Sequence, residues 1–291
     1  VDTLEIQPAH LRSIAEMLAR EAAAFVRRRR SEVFGAGPGG GDDAAVQTKT
    51  TPTDPVTIVD TETEQLLRDR LAQLRSGDAV LGEESGGPTD PTAGEDGAVT
   101  WVLDPIDGTV NFVYGIPAYA VSVAAQVNGE SVAGAVADVV GDRLYSAATG
   151  LGAQVVDADG ARALRCSAVD DLSLALVGTG FAYSGQRRTA QAELVSKMLP
   201  SVRDVRRIGS AALDLCMVAA GRLDAYYEHG LKVWDCAAGA LIAAEAGARV
   251  ILPEPGDPER DAAVVVAAAP GIADQLLARL AEFDGLAPIP G

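Results

Sequence analysis

Apolar side chains at Leu11, Ile14, Ala15, Leu18, Ala22 and Phe25 recur every three or four residues, so residues 8–30 are predicted to form one amphipathic helix. The arginine run at 27–30 suits the negative pole at the end of such a helix. Residues 35–43 (GAGPGGGDD) read as a flexible loop. A second helix is predicted from Thr61, which stands three residues before Glu64 as in a capping box and leads into Leu67, Leu71 and Leu74. Residues 86–97 read as another loop. From Val99 the pattern changes to strands, and Asn128-Gly129 between two apolar runs is a strong hairpin signal. The meander continues to about residue 165. Beyond it, LSLALVGTG reads as a buried strand and residues 188–199 as a helix. SAALDLCMVAAG and DCAAGALIAAEAG read as helices closed by glycine, and residues 270–283 as a last helix. The expected fold class is α+β in layers. Residues 1–165 form an N-terminal half around an antiparallel sheet, and residues 166–291 a mixed α/β C-terminal half.

Composition narrows the function classes. The 291 residues are 48% hydrophobic, enough for a large core, yet no apolar run approaches the roughly 20 residues of a membrane span. Residues 1–30 lack the basic-then-apolar order of a secretory signal. A net charge of −17 disfavours direct nucleic-acid binding, which needs a basic face. Three cysteines without CxxC spacing suggest neither a disulfide framework nor a thiolate zinc site. A cytoplasmic protein is expected.

The candidate chemistry starts at WVLDPIDGTVNF, residues 101–112, where an apolar run ends on Asp104 and Asp107. Residues i and i+3 of a strand do not share a face, but Pro105 and Gly108 can fold the chain back. At about 4 Å and an effective dielectric near 20, two such charges repel by roughly 4 kcal/mol. A divalent cation would turn that repulsion into attraction, and oxygen ligands favour Mg²⁺, Mn²⁺ or Ca²⁺ over zinc. The same residues also make an ordinary Asx turn. VLGEESGG adds Glu83 and Glu84 at a second strand end, and WDCAAG adds Asp235. Alone, the first pair reads as a solvated acidic loop, Asp235 as a helix N-cap and Glu228 as a loop glutamate.

Together, GEES, DPIDGTVNF and WDCAAGALIAAEAG resemble the three signatures of the inositol monophosphatase family, lithium-sensitive and Mg²⁺-dependent phosphatases, and KTTPTDPVTIVD resembles the segment before its second helix. The resemblance covers roughly residues 10–250. It implies a layered α-β-α-β-α sandwich, the sugar-phosphatase fold, hydrolysis of myo-inositol 1-phosphate or a related phosphate monoester, and a homodimer. Glu83, Asp104 and the Ile106 carbonyl would hold one Mg²⁺. Asp104, Asp107 and Asp235 would hold a second, and Glu83 would also serve a weaker third. Mn²⁺ would substitute and Li⁺ would inhibit. Thr109 would bind the attacking water, and the Gly108 and Thr109 amides the phosphate. Asp107, Gly209, Ala211 and Glu228 would line the polyol, with Asp235 near the leaving oxygen and Lys49 and Asp60 further out.

Rival phosphatase chemistries fit less well. Haloacid-dehalogenase enzymes need Asp-x-Asp near the N-terminus of their domain, and cysteine phosphatases need Cys-x5-Arg. Nucleotide bisphosphatases of the same fold often carry Lys after Gly-Thr, where this chain has Val110. A fructose-1,6-bisphosphatase-like activity and a mainly regulatory role are the remaining alternatives. The last signature ends in Gly247-Ala248 where the family often has two glycines, which touches no ligand.

Overall fold

Leu11, Leu18, Ala22 and Val26 lie buried along one side of α1 (Pro8–Phe34), which runs four residues past the predicted end because Phe34 turns back into the core. The arginines at 27–30 continue that helix. Arg27 donates to the Val139 carbonyl and Arg30 to that of Phe112. The computed structural model describes residues 7–35, 46–49, 55–88, 97–254 and 257–291, so the predicted loop at 35–43 lies outside them apart from Gly35. Strands β1 (Val46–Thr48) and β2 (Pro55–Thr57) form a short antiparallel ribbon. It leads into α2 (Ile58–Leu74), which starts earlier than predicted. The capping box is Thr57 with Asp60, not Thr61 with Glu64: Thr57 Oγ1 accepts from the Val59 amide, and Asp60 Oδ2 accepts from the Thr57 amide at 2.9 Å.

The main sheet has seven strands in chain order: β3 (Ala79–Gly82), β4 (Val99–Asp107), β5 (Ala120–Val127), β6 (Glu130–Asp138), β7 (Arg143–Ala148), β8 (Ala153–Asp157) and β9 (Gly160–Ala163). β3 and β4 are parallel and all other neighbours antiparallel. The hairpin between β5 and β6 turns on Asn128 and Gly129, both at positive φ (52° and 81°), as the two-residue turn requires. After β4 comes the short α3 (Thr109–Tyr114).

The second sheet is built from β10 (Leu176–Thr179), β11 (Asp204–Arg206), β12 (Ala225–His229), β13 (Arg249–Ile251) and β14 (Val264–Ala268), in the order β11-β10-β12-β14-β13. β10, β11 and β12 are parallel, and β14 runs against both its neighbours. The remaining helices are α4 (Gly185–Met198), α5 (Ala211–Ala219), α6 (Val233–Glu245) and α7 (Ala273–Glu282).

Strand alternation assigns the layers. Trp101, Leu103, Val121 and Val123 pack against α1 and α2, while Val102, Ala120 and Ala124 face α5 and α6. The opposite side of α5 and α6 meets Tyr226, Val265 and Ala267 of the second sheet. Its far face, with Val177, Tyr227 and Val266, is closed by Leu194 and Met198 of α4 and by Leu276 and Leu280 of α7. The result is the α-β-α-β-α sandwich. A helix layer held between two sheets needs small residues. A methyl built on Gly239 of α6 would stand 2.9 Å from Leu215 of α5, and one on Gly134 of β6 would stand 3.0 Å from Ala238. That close approach accounts for the alanine- and glycine-rich run in α6. Among the described residues no helix is long and apolar enough to cross a membrane.

Candidate functional site

Four helices, α2, α3, α5 and α6, begin around the end of β4. The step that makes this a site is a bulge. Asp104 pairs with Ser122 and Asp107 with Ala120, so three steps of β4 match two of β5. Ser122 and Ala120 share a face of their strand. The inserted residue therefore restores the parity that an i, i+3 spacing lacks, and both carboxylates leave on the side of α5 and α6. Asp104 is buried, and its Oδ1 accepts from the Ile106 amide at 3.0 Å, so the Asx turn is real and is part of the site. Asp107 Oδ2 accepts from Ser210 Oγ at 2.5 Å and from the Ala212 amide at 2.7 Å, which ties β4 to the start of α5. Gly108, at φ 94°, turns the chain into α3. A methyl there would lie 3.0 Å from the Ala118 and Gly209 carbonyls.

Asp235 is the third residue of α6, not its N-cap. The N-cap is Lys232, whose amide donates to Asp235 Oδ2 at 2.6 Å. Glu83 follows β3, where Lys49 Nζ reaches Glu83 Oε1 at 2.7 Å and Glu84 Oε1 at 2.6 Å. The turn carrying these glutamates hangs on Glu64, which is wholly buried. Its carboxylate accepts from the Glu84 and Ser85 amides at 2.7 and 3.0 Å and from Arg68. Thr109 Oγ1 lies 3.2 Å from Asp60 Oδ1 and 3.0 Å from the Ile106 carbonyl, a link between the starts of α2 and α3. On the opposite wall, Tyr226 donates to Glu228 Oε2 at 2.5 Å. Gly209 lies beside Asn111, whose Nδ2 donates to the Ala118 and Ile208 carbonyls, and Ala211 opens α5. Glu64, Ser210, Asn111 and Tyr226 are supports that the sequence reading did not pick out as site residues. Only Ser210 carried a local signal, as an N-cap hydroxyl three residues before Leu213.

Electrostatically the cleft is short of positive charge. Burial, then Glu83, Asp107 and Asp235, hold the Asp104 carboxyl well above the ordinary range. Burial, Glu83 and Asp107 do the same to Asp235. Burial raises Asp107 to about 6 even though Ser210 and the Ala212 amide oppose the shift. Asp60 reaches about 7 through burial, against its bonds from Thr57, and Glu228 about 7 through burial, against the bond from Tyr226. Among the described residues, Lys49 is the cation bonded to Glu83 and Glu84, and Arg207 acts on Glu228. Burial opposes the charge of Lys49, but Glu83 and Glu84 outweigh that and hold it protonated. Among the described residues no three His, Cys, Asp or Glu side chains are drawn tightly enough together to hold an ion as they stand. Glu83 is bonded to Lys49, Asp107 to Ser210 and Asp235 to the Lys232 amide. The donor set nevertheless fits a hard divalent cation: all oxygen, withdrawn from water, mutually repelling and undercompensated.

This field has a measurable consequence. A carboxyl raised by folding favours the folded state below its unfolded value and loses that contribution as pH rises through the folded value. Metal-free protein is therefore expected to lose stability between about pH 4 and 7, by on the order of 4 kcal/mol for Asp60 alone, and to regain it with millimolar Mg²⁺. Thermal melts across that range, in chelator and in Mg²⁺, check this. A melting temperature that rises with pH in chelator would refute it.

A five-layer sandwich with an acidic cleft at a β-bulge, rimmed by helix N-termini, defines the structural class. Comparison with known proteins agrees. The model of the inositol monophosphatase family matches residues 7–285. The inositol-1-monophosphatase of Mycobacterium leprae is 73% identical over 282 residues, 97% of each chain. The solved structure of Mycobacterium tuberculosis SuhB superposes with a TM-score of 0.81 at 64% identity, covering 96% of this chain and 99% of that one. A Pasteurella multocida protein named Nus factor SuhB is 37% identical over 87% of this chain and 92% of its own. The chain belongs to the inositol monophosphatase family.

Proposed function

We propose that the protein is a Mg²⁺-dependent phosphomonoesterase that hydrolyses myo-inositol 1-phosphate, and related polyol phosphates, to the alcohol and inorganic phosphate. The observation that supports this most is the bulge that turns Asp104 and Asp107 onto one face, toward Asp235 and Glu83. Glu83, Asp104 and the Ile106 carbonyl would hold one Mg²⁺, and Asp104, Asp107 and Asp235 the other, with Glu83 also serving a weaker third. Mn²⁺ would substitute and Li⁺ would compete. Bound there, the ions supply charge neutralisation for the phosphate and acidify water.

The chain's own groups do the rest. The Thr109 hydroxyl can donate to Asp60 or to the Ile106 carbonyl, which leaves its oxygen lone pairs to accept from a water and orient it. Asp60, poised near 7, is suited to take the proton passed through Thr109. The amides of Gly108 and Thr109, at the start of α3, have no acceptor within the helix and would grip phosphate oxygens. Asp107, Gly209, Ala211 and Glu228 would line the polyol, and Asp235 would stand by the leaving oxygen. Lys49 would release Glu83 and screen the outer side.

A substrate panel tests the assignment: myo-inositol 1-phosphate, fructose 1,6-bisphosphate and 3′-phosphoadenosine 5′-phosphate, each with Mg²⁺ and a Li⁺ titration. Fastest cleavage of the first is expected. Preference for the nucleotide would move the protein to the bisphosphatase branch. The relative named Nus factor supports a second, regulatory reading, and absence of cleavage across the panel would favour it.

A further inference from the structure

We propose that Asp214 is a positioning residue for the substrate wall, fixing the Tyr226 ring and, through its hydroxyl, the carboxylate of Glu228. The inference rests on the reading of Glu228 as a substrate contact. Asp214 stands in the first turn of α5, is 1% exposed, and its Oδ1 has no hydrogen-bond partner among the described residues. It points at β10. A methyl built on Gly178 would lie 2.8 Å from Leu223 Cδ1, 2.9 Å from Asp214 Oδ1 and 3.2 Å from Tyr226 Cδ2, so the carboxyl and the ring edge share, with the Leu223 methyl, the seat that this glycine leaves open. Gly178 is also the ladder partner of Tyr226. Two residues on, a methyl on Gly180 would collide with the Glu228 carboxylate, Oε2 lying 1.8 Å away. The two glycines of the GTG run thus form adjacent seats, one for Asp214 with Tyr226 and one for Glu228. Tyr226 and Glu228, two apart on β12, leave it on the same side and are joined by the 2.5 Å bond.

Burial first, then Glu228 and Asp107, push the Asp214 carboxyl well above the ordinary range, which favours its neutral form in that seat. An alanine would open the seat and free the ring. An asparagine would keep both the shape and the neutrality.

The test compares Asp214→Ala, Asp214→Asn, Tyr226→Phe and Glu228→Gln on myo-inositol 1-phosphate and on 4-nitrophenyl phosphate, which offers no polyol. Asp214→Ala should raise KM for the inositol ester about tenfold, with kcat falling less than about threefold and KM for the nitrophenyl ester rising less than about twofold. Asp214→Asn should recover most of the loss. Asp214→Ala combined with Tyr226→Phe should be no worse than the worse single change. Equal effects on both esters, no rescue by asparagine, or multiplying effects in the double variant would each overturn the inference. If Glu228→Gln leaves the contrast between the esters as in wild type, the reading of Glu228 has failed. If it abolishes the contrast while Asp214→Ala does not change it, only the inference has failed. Should Asp214→Ala not fold, Gly178→Ala presses on these two groups as well as on Leu223 and must give the same KM signature.

Discussion

Asp104→Asn is expected to lower kcat/KM for myo-inositol 1-phosphate by at least about a thousandfold while raising the melting temperature of the metal-free protein. Asp104 is the carboxylate on which the cluster centres. It is buried at the bulge, and Glu83, Asp107 and Asp235 all act on it. Asparagine keeps the shape and can still accept from the Ile106 amide, so the turn persists. It removes an acid that is ionised in the unfolded chain but is pushed toward its neutral form by burial and by Glu83, Asp107 and Asp235 in the folded one, so the cost of that proton uptake disappears in the absence of cations. Activity and stability should therefore move in opposite directions. A general folding defect would lower both. A variant that is inactive and also melts earlier in chelator would show that Asp104 is structural and would remove the bridging role proposed for it.

Asp60→Asn is expected to reduce kcat about a hundredfold with KM changed less than about threefold, because proton acceptance is lost while the phosphate and polyol contacts remain. The carboxylate is wholly buried, 3.2 Å from the Thr109 hydroxyl, and lies outside the proposed ligand set. Its ionised form is the one that accepts a proton. Wild-type kcat should thus rise with pH through an acid limb that Asp60→Asn removes. The Thr57 cap loses only part of its strength, since an asparagine oxygen can still take the Thr57 amide, a cost of about 1 kcal/mol. Thr109→Val should give a similar loss if the two act as one relay. A full acid limb persisting in Asp60→Asn would end that assignment.

Local signals in the chain carried much of the fold. The hairpin at Asn128, the glycine stops after α5 and α6 and the amphipathic stripe of α1 are each written in a few neighbouring residues. Gly221 and Gly247 do adopt left-handed backbone there, with φ of 64° and 93°. Features decided by distant partners were less legible. Thr61 with Glu64 has capping-box spacing, yet Glu64 is drawn into the core by the amides of the GEES turn, and Thr57 caps instead. Glu228 reads as a loop residue until β10 and β14 pair on either side of its strand. The bulge is the sharpest case. Asp-x-x-Asp spacing in a regular strand argues against a shared face, and only the register with β5 reveals the extra residue that gives both carboxylates one. Pro105 and Gly108 point to a fold-back that converges the two carboxylates, but not to the inserted residue that brings this about.

On the proposed reading these carboxylates hold cations that make phosphate hydrolysis possible. Phosphate release from myo-inositol 1-phosphate, followed as Mg²⁺ is titrated into chelator-stripped protein, tests it most directly. No release is expected in chelator, then a rise with more than first-order dependence on Mg²⁺, and suppression by Li⁺. Release at full rate in chelator, or none at any Mg²⁺ concentration, would contradict it.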